Sequence, residues 1–469
     1  MLTKISKFLV YLVPFTAVLV YQGTLFPFIV TKYTFFRTVI ELAVVFFVWA
    51  WAAGEFKTEE RGKRKEQREN KSESQTVEKK GIVDKIKSFS YRFPLIANPL
   101  TIAVAVFAFI FVIAGIFGFD PHSSFWSNYE RGEGGFQMLH LLAFFLLTVL
   151  LFKDSKSWKR LFDISLWASL GVIVYGLLAA VNFAGLYGGD LCQRFAGSLG
   201  NPAYVGTYML FSIFYALYRA FEQNTKGKKW GFISLAAFFF ITLLYTQTRG
   251  ALLGLGAGIV ALLIYFAIKV SVPKLRKIAI GSVILLIIFG TLGIIYRRDI
   301  DLQPFCAQSG GNRILDVSFD TETLQTRLIL WQKAIEIWKE RPLLGWGPEN
   351  FYPALERHYD VRLTAWFDRA HNVFFDYLSM TGILGLLSYI GLFAAYYWMF
   401  FKKQLAVKRE ENRSTKELIL WSLMFALPIA YLVQGLVLFD VLSIYINLFL
   451  ILAFGAYKFL ILETKHNAK

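Results

Sequence analysis

Long apolar runs alternate with charged connections along the whole chain, and that alternation predicts membrane-crossing helices rather than a soluble core. The runs lie at about 8–30, 34–53, 97–119, 136–152, 161–183, 203–221, 230–248, 250–268, 277–296, 371–401, 418–439 and 441–462, twelve in all. Most approach or exceed the ~20 apolar residues that an α-helix needs to cross a bilayer. The seventh and eighth abut at Thr248-Arg249-Gly250, which predicts a tight helical hairpin. The run at 136–152 is short and predicts a tilted or partly interfacial helix. Phe8 to Val30 is too long for the apolar part of a signal peptide and lacks a small-residue cleavage pattern, so it reads as a first span. The expected fold class is an all-α polytopic membrane protein with about 12 transmembrane helices, one embedded domain over 1–469.

The polar residues between the runs fall into two kinds. Lys and Arg crowd the segment 54–95, Lys153 to Arg160, Lys226 to Lys229, Lys269 to Lys277 and Lys402 to Lys416. With twelve crossings all of these share one side. Cytoplasmic loops accumulate Lys and Arg, so that side is cytoplasmic and both termini lie on it. Residues 57–80 carry almost nothing apolar and cannot bury enough surface to fold. The segment 54–95 reads as a charged cytoplasmic linker or as a basic tether to anionic lipid. The opposite connections hold Arg131, Arg194, Asn201, Arg249, the long loop 297–370 and His371. Chemistry is therefore expected on the outer, periplasmic face.

Within the external loop 297–370, Leu324, Leu328, Trp331, Ile335 and Trp338 recur at helical spacing, with charged residues between them. An amphipathic helix is expected from Glu322 to Arg341, ended by Pro342. Its two Trp suit either the membrane–water boundary or a lid over the bundle mouth. A glycine-rich turn follows, with Gly345, Gly347, Pro348 and Asn350. Glycines this dense allow a sharp bend or a close approach of backbone to a ligand.

Composition narrows the class. The chain of 469 residues is 56% apolar, above the ~45–50% of soluble proteins. The net charge of +17 invites a nucleic-acid reading, but its concentration in one set of loops is the signature of cytoplasmic membrane loops instead. No nucleic-acid partner is expected.

Arg249 sits beside glycine and hydroxyl residues at a tight turn next to hydrocarbon, where a charge is costly and marks function or pairing. A guanidinium grips phosphate through two parallel hydrogen bonds. Arg194 precedes Gly197, Gly200 and Asn201-Pro202, and the last pair opens a helix whose N-terminus favours an anion. For Arg194 taken alone, an anion site and an ordinary loop arginine are equally open. His371 opens the tenth run. Imidazole is the usual general base near neutrality, although a lone His at such a place is more often a cap. Asp376 lies too far round the helix to orient it. Arg37 and Glu41 are one turn apart and are expected to pair. Asp299 and Asp301 form an Asp-x-Asp pair, but no His or Glu cluster accompanies them, and no metal or cofactor is expected. Neither a P-loop nor a Gly-x-Ser-x-Gly elbow is present. Cys192 and Cys306, the two cysteines, are both external, where a bridge or two separate thiols are possible.

Four stretches together resemble the O-antigen ligase and O-antigen polymerase superfamily of bacterial envelope enzymes. They are Arg194 to Pro202, Thr248 to Ala251, Pro342 to Phe351, and Ala370-His371-Asn372 followed by Gly382 to Gly385. Their order, with a large loop before the His, is similar to the family plan over Tyr129 to Tyr396. The resemblance implies a GT-C-like fold in the inner membrane. It implies inverting, metal-independent transfer of a glycan from an undecaprenyl-diphosphate-linked donor to an acceptor hydroxyl. By the same resemblance His371, Arg249 and Arg194 are catalytic. Arg131, Asn201, Gly345, Gly347, Asn350 and Asn372 are the expected substrate-binding positions. The acceptor stays open between glycolipid, growing glycan and protein, and a polytopic transporter is the rival from another class.

Overall fold

The computed structural model describes residues 1–55, 98–188, 194–296, 322–407 and 414–466. These residues are all-α, with fifteen α-helices and no strand among them. In chain order they are α1 (Leu2–Leu12), α2 (Val30–Ala52), α3 (Pro99–Ile116), α4 (Pro121–Trp126), α5 (Gly135–Leu151), α6 (Ser155–Ala180), α7 (Pro202–Glu222) and α8 (Lys226–Tyr245). Then follow α9 (Arg249–Lys269), α10 (Pro273–Ile295), α11 (Glu322–Glu340), α12 (Phe351–Arg357), α13 (Val373–Val407), α14 (Thr415–Gly435) and α15 (Leu442–His466). Nine of the described helices, α2, α3, α6, α8, α9, α10, α13, α14 and α15, are long and apolar enough to cross a membrane. The shorter α5 and the more polar α7 join the same two ends of the bundle.

Tertiary contacts sort the connections into those two ends. At one end Lys7 donates to Ser157, Lys159 lies 3.6 Å from Glu222, and Arg219 binds Asp163 and Glu222. Lys416 donates there to Glu222 O and to Asn224. These are the lysine-rich connections of the sequence. At the other end Lys32 donates to Ser198 O, Arg37 to Gly132 O, Arg131 to Asp368, and Ser124 to Pro348 O. The two sets of loops separate as the charge pattern required.

Three expectations about elements need correction. The run 8–30 is not one helix. After α1 a 3-10 turn occupies Val13–Ala17, and the chain is irregular from there to the start of α2. Pro14 sits in that turn without an N–H, and Lys32 donates back to Leu19 O at 2.7 Å, replacing lost helical bonds. Arg37 and Glu41 do not pair. Arg37 donates to Gln137 at 2.8 Å and Glu41 meets His140 at 3.0 Å, because α5 offers each a partner of its own. In α11 the residues turned into the protein are Leu330, Ala334 and Ile337, while Leu328 is exposed. The inward face carries smaller side chains than the expected stripe, because they nest against Trp346, Phe351 and Met380.

The tenth run forms α13, which is broken at Gly382 (φ 64°). The Pro342–Gly347 segment lies along the break and bonds to it on both sides. Trp346 N and Gly347 N donate to Ser379 O and Met380 O, and Ile383 N and Leu384 N donate to Pro342 O and Leu343 O. A Cβ at Gly382 would come within 2.3 Å of Leu343 O, and one at Gly345 within 2.5 Å of the Met380 carbonyl carbon. Two backbones meet there, so glycine is required on both. The loop supplies hydrogen bonds that an interrupted membrane helix would otherwise lack.

The charged linker lies almost wholly outside the described residues, as do Cys192, Cys306, Asp299 and Asp301.

Candidate functional site

Three connections and the start of α13 converge at one end of the bundle. Arg194 donates through Nε to Thr246 O at 2.9 Å and through Nη2 to Thr248 Oγ1 at 3.2 Å. Thr248 in turn donates to Pro202 O at 3.1 Å, so the loop before α7, the first turn of α7 and the α8–α9 hairpin are locked together. Arg249 is the first residue of α9. Gly250 beside it packs so closely on the end of α14 that a Cβ would meet Val437 at 2.4 Å. Asn372 donates from Nδ2 to Leu436 O at 2.9 Å, on that same turn. Arg194, Arg249 and the His371 region, far apart in sequence, thus share one small set of contacts.

His371 stands at φ 54°, a left-handed conformation rare for a side chain of its size. Its ring packs edge-on to Phe439 at 5.1 Å and Phe367 at 6.0 Å. No protein group among the described residues hydrogen-bonds the ring. Burial, and after it the positive field of Arg327, lower its pKa to about 4. The imidazole is therefore neutral at physiological pH and able to accept a proton.

Beside it lies a buried ionic network. Arg131 grips Asp368 with Nε and Nη2, donates to Tyr204 through Nη1, and sits 5.1 Å over the Phe439 ring. Arg369 lies 2.5 Å from Glu349 and 3.5 Å from Glu133. Burial pushes Glu133 up to about 8, since Arg369 is closer to Glu349 and offsets only part of the cost. Sequence reading missed Arg327, Asp368, Arg369 and Phe439 as neighbours of His371, and Glu133 and Tyr204 as partners of Arg369 and Arg131. Only Asp368 and Arg369 carried a signal, by adjacency.

The expected substrate-binding positions divide. Arg131 has its fork closed on Asp368 and also lines a small cavity. Asn201 caps α7, its Oδ1 accepting from Ala203 N at 2.8 Å. Asn350 is 1% exposed and donates to Ser124 Oγ and Trp346 O. Gly345 and Gly347 serve the backbone-to-backbone packing on α13. Asn372 caps α13 through Phe374 N. Each of these positions has a bond or packing contact of its own within the protein.

A cavity of about 260 Å³ opens beside Arg194. Its walls are apolar residues of α6 and α8, including Ile173, Leu177, Phe238 and Ile241, with Phe195 and Gly197 at the Arg194 end. A smaller cavity of about 40 Å³ is lined by Lys32, Tyr33, Glu130, Arg131, Glu133 and Tyr204 among others. Charge meets a lipid-like slot in the first, and polar groups meet aromatic rings in the second.

Fold and site define a polytopic helical membrane protein with a cationic, partly strained cluster at one end. Residues 234–390 match the family model described as O-antigen ligase. The stretch from α8 into α13 is thus similar to O-antigen ligases, in agreement with the superfamily resemblance drawn from the motifs that lie within it. The matched stretch includes Arg249, Arg327, Gly345, His371 and Asn372. No curated protein matches the chain. The match supports a glycosyltransferase-like enzyme handling a lipid-linked glycan, in general terms.

Proposed function

We propose that this protein transfers a glycan from undecaprenyl diphosphate to an acceptor hydroxyl at the outer face of the bacterial inner membrane, with inversion at the anomeric carbon. The observation that carries the reading is the cavity at Arg194. A cationic end fused to an apolar slot between two membrane helices has the chemistry of a diphosphate joined to an isoprenoid tail.

In this mechanism Arg194 and Arg249 hold the diphosphate and stabilise the charge that grows on it as the C–O bond breaks. They fill the role that a divalent metal plays elsewhere. The acceptor oxygen forms the new bond to the anomeric carbon, and its proton passes to the neutral ring of His371. The bond electrons leave with the diphosphate. Arg131 and Tyr204 line the smaller cavity and both meet Phe439, the ring that packs on His371, so in this reading the acceptor approaches from that side and the donor from the Arg194 side. Both termini are cytoplasmic in this reading, and 297–370 faces outward.

His371→Ala should lower transfer by at least ~100-fold in protein that still inserts, as for a lost general base. Arg249→Lys should also cause a large loss, because charge is kept while the fork is lost. Transfer of a lipid-linked glycan by purified protein is the measurement. Near-native turnover in both variants would remove the mechanism.

A further inference from the structure

Ala370, the residue before His371, is held at both its N–H and its carbonyl. Ala370 is fully buried, its N–H donates to Asp376 Oδ1 at 2.6 Å, and its carbonyl accepts from Trp331 Nε1 at 3.1 Å. Asp376 is on the first turn of α13, and Trp331 is on α11 of the long external loop. The Trp331 ring also stacks on Phe375 at 5.6 Å, which fixes the indole. On the far side of His371, Asn372 is pinned by its cap on Phe374 N and its bond to Leu436 O. A left-handed backbone at a non-glycine residue costs roughly 1–2 kcal/mol and persists only where its surroundings over-determine it.

Asp376 has a second peculiarity. It is 3% exposed, and its Oδ2 is buried with no hydrogen-bond partner among the described residues. A buried carboxyl that uses one oxygen on a backbone N–H and leaves the other unpaired is costly. The charge of nearby Arg369 offsets part of that cost. Its one bond goes to the residue next to the strained histidine.

We propose that Asp376 and Trp331 are positioning residues which hold Ala370 at its N–H and at its carbonyl, and so keep His371 in its left-handed conformation. Asp376 does not touch the imidazole. It acts through the backbone, which is why helical spacing gave no hint of a link. Trp331 joins the external loop to the same residue, so the placement of α11 over the bundle sets the posture of the base. The inference rests on the assignment of His371 as proton acceptor, and the test separates the two.

The decisive comparison is Asp376→Leu against Asp376→Asn, with Trp331→Phe as the partner arm, all in full-length protein reconstituted in lipid. Asn keeps an oxygen for Ala370 N–H, and Leu removes it. Phe keeps the stack on Phe375 and loses only the indole N–H. Asp376→Leu should lower kcat at least tenfold while moving the donor KM by less than about threefold. Asp376→Asn should recover to within about threefold of wild type. Trp331→Phe should fall between them. The acid limb of kcat/KM should also move upward in Asp376→Leu. A released ring leaves its buried place near Arg327, Arg131 and Arg369, and its pKa rises from about 4 toward the ordinary value. Loss of fold alone would reduce the active fraction without moving that limb. Inserted Asp376→Leu protein with native kcat and an unmoved limb overturns the proposal. So does Asp376→Asn as impaired as Asp376→Leu, because charge and not acceptor geometry would then matter. If His371→Ala itself keeps turnover, the base assignment fails, whatever the positioning variants do.

Discussion

The two ends of the bundle use charge differently. At the lysine-rich end Arg219, Asp163 and Glu222 tie regular helices to one another, and the backbone there is ordinary. At the other end Arg131, Arg369, Glu349 and Asp368 hold irregular backbone. All six non-glycine residues with positive φ among the described residues lie there: Ser127, Asn182, Ala184, Gln247, Glu349 and His371. Strain persists only where its surroundings over-determine it, and it clusters at sites that do chemistry. One end is built for cohesion, and the other spends cohesion on holding a shape.

Arg369→Met tests that contrast most severely. Arg369 is buried with Glu349 and Glu133, whose side chains are 2% and 7% exposed, and its loss leaves Glu349 without its cation. Breaking a buried pair this way costs about 3–5 kcal/mol. Thermal unfolding in detergent should show a much lower midpoint, and turnover per folded molecule should also fall. Arg219→Met leaves Asp163, which is 37% exposed, partly solvated, and leaves Glu222 with Lys159 at 3.6 Å, so the cost should be smaller. Turnover per folded molecule should survive that change. Equal loss of per-molecule turnover at both ends would erase the distinction.

The pH dependence is the next largest effect. A base must be neutral to work, and His371 is neutral above about 4 in the free protein. The acid limb of kcat/KM should therefore fall as pH drops through about 4, not through the ordinary histidine value near ~6.5. Stability has the same sign. The folded pKa is depressed, so between those two values the unfolded chain binds the proton and the folded protein does not. The His371 contribution is whole above the unfolded pKa, shrinks as pH falls toward 4, and levels off below it. A limb near 6.5 would mean that the ring is solvated.

The smallest effect sharpens the assignment of Asn201. As an N-cap it should be worth about 1 kcal/mol, with turnover per folded molecule nearly unchanged in Asn201→Ala. Asp154 caps α6 at the opposite end, its Oδ1 accepting from Ser157 N at 2.8 Å, and Asp154→Ala is the matched control. Similar midpoint shifts and similar turnover would leave Asn201 a cap. A tenfold loss of turnover in the Asn201 variant alone would return it to the substrate site.

Membrane helices, their order and the separation of loops into two ends were legible in the sequence because they depend on local composition. A run of apolar residues must cover its own backbone hydrogen bonds in hydrocarbon, and a helix is the local way to do so. His371, Arg249 and Arg194 were legible as candidates because polar residues beside hydrocarbon are expensive and need a reason. Partners were not legible. Arg37 faces Glu41 on its own helix yet bonds Gln137, and Arg131 looks free in sequence yet closes on Asp368, 237 residues away. The break in α13 shows the same limit. Gly382 permits it, but the hydrogen bonds that make it tolerable come from Pro342–Gly347. Sequence determined which segments could enter the membrane and which residues could do chemistry there. Only tertiary structure decided which of those residues meet, because a side chain's partner is set by helices that pack beside it and not by its neighbours along the chain.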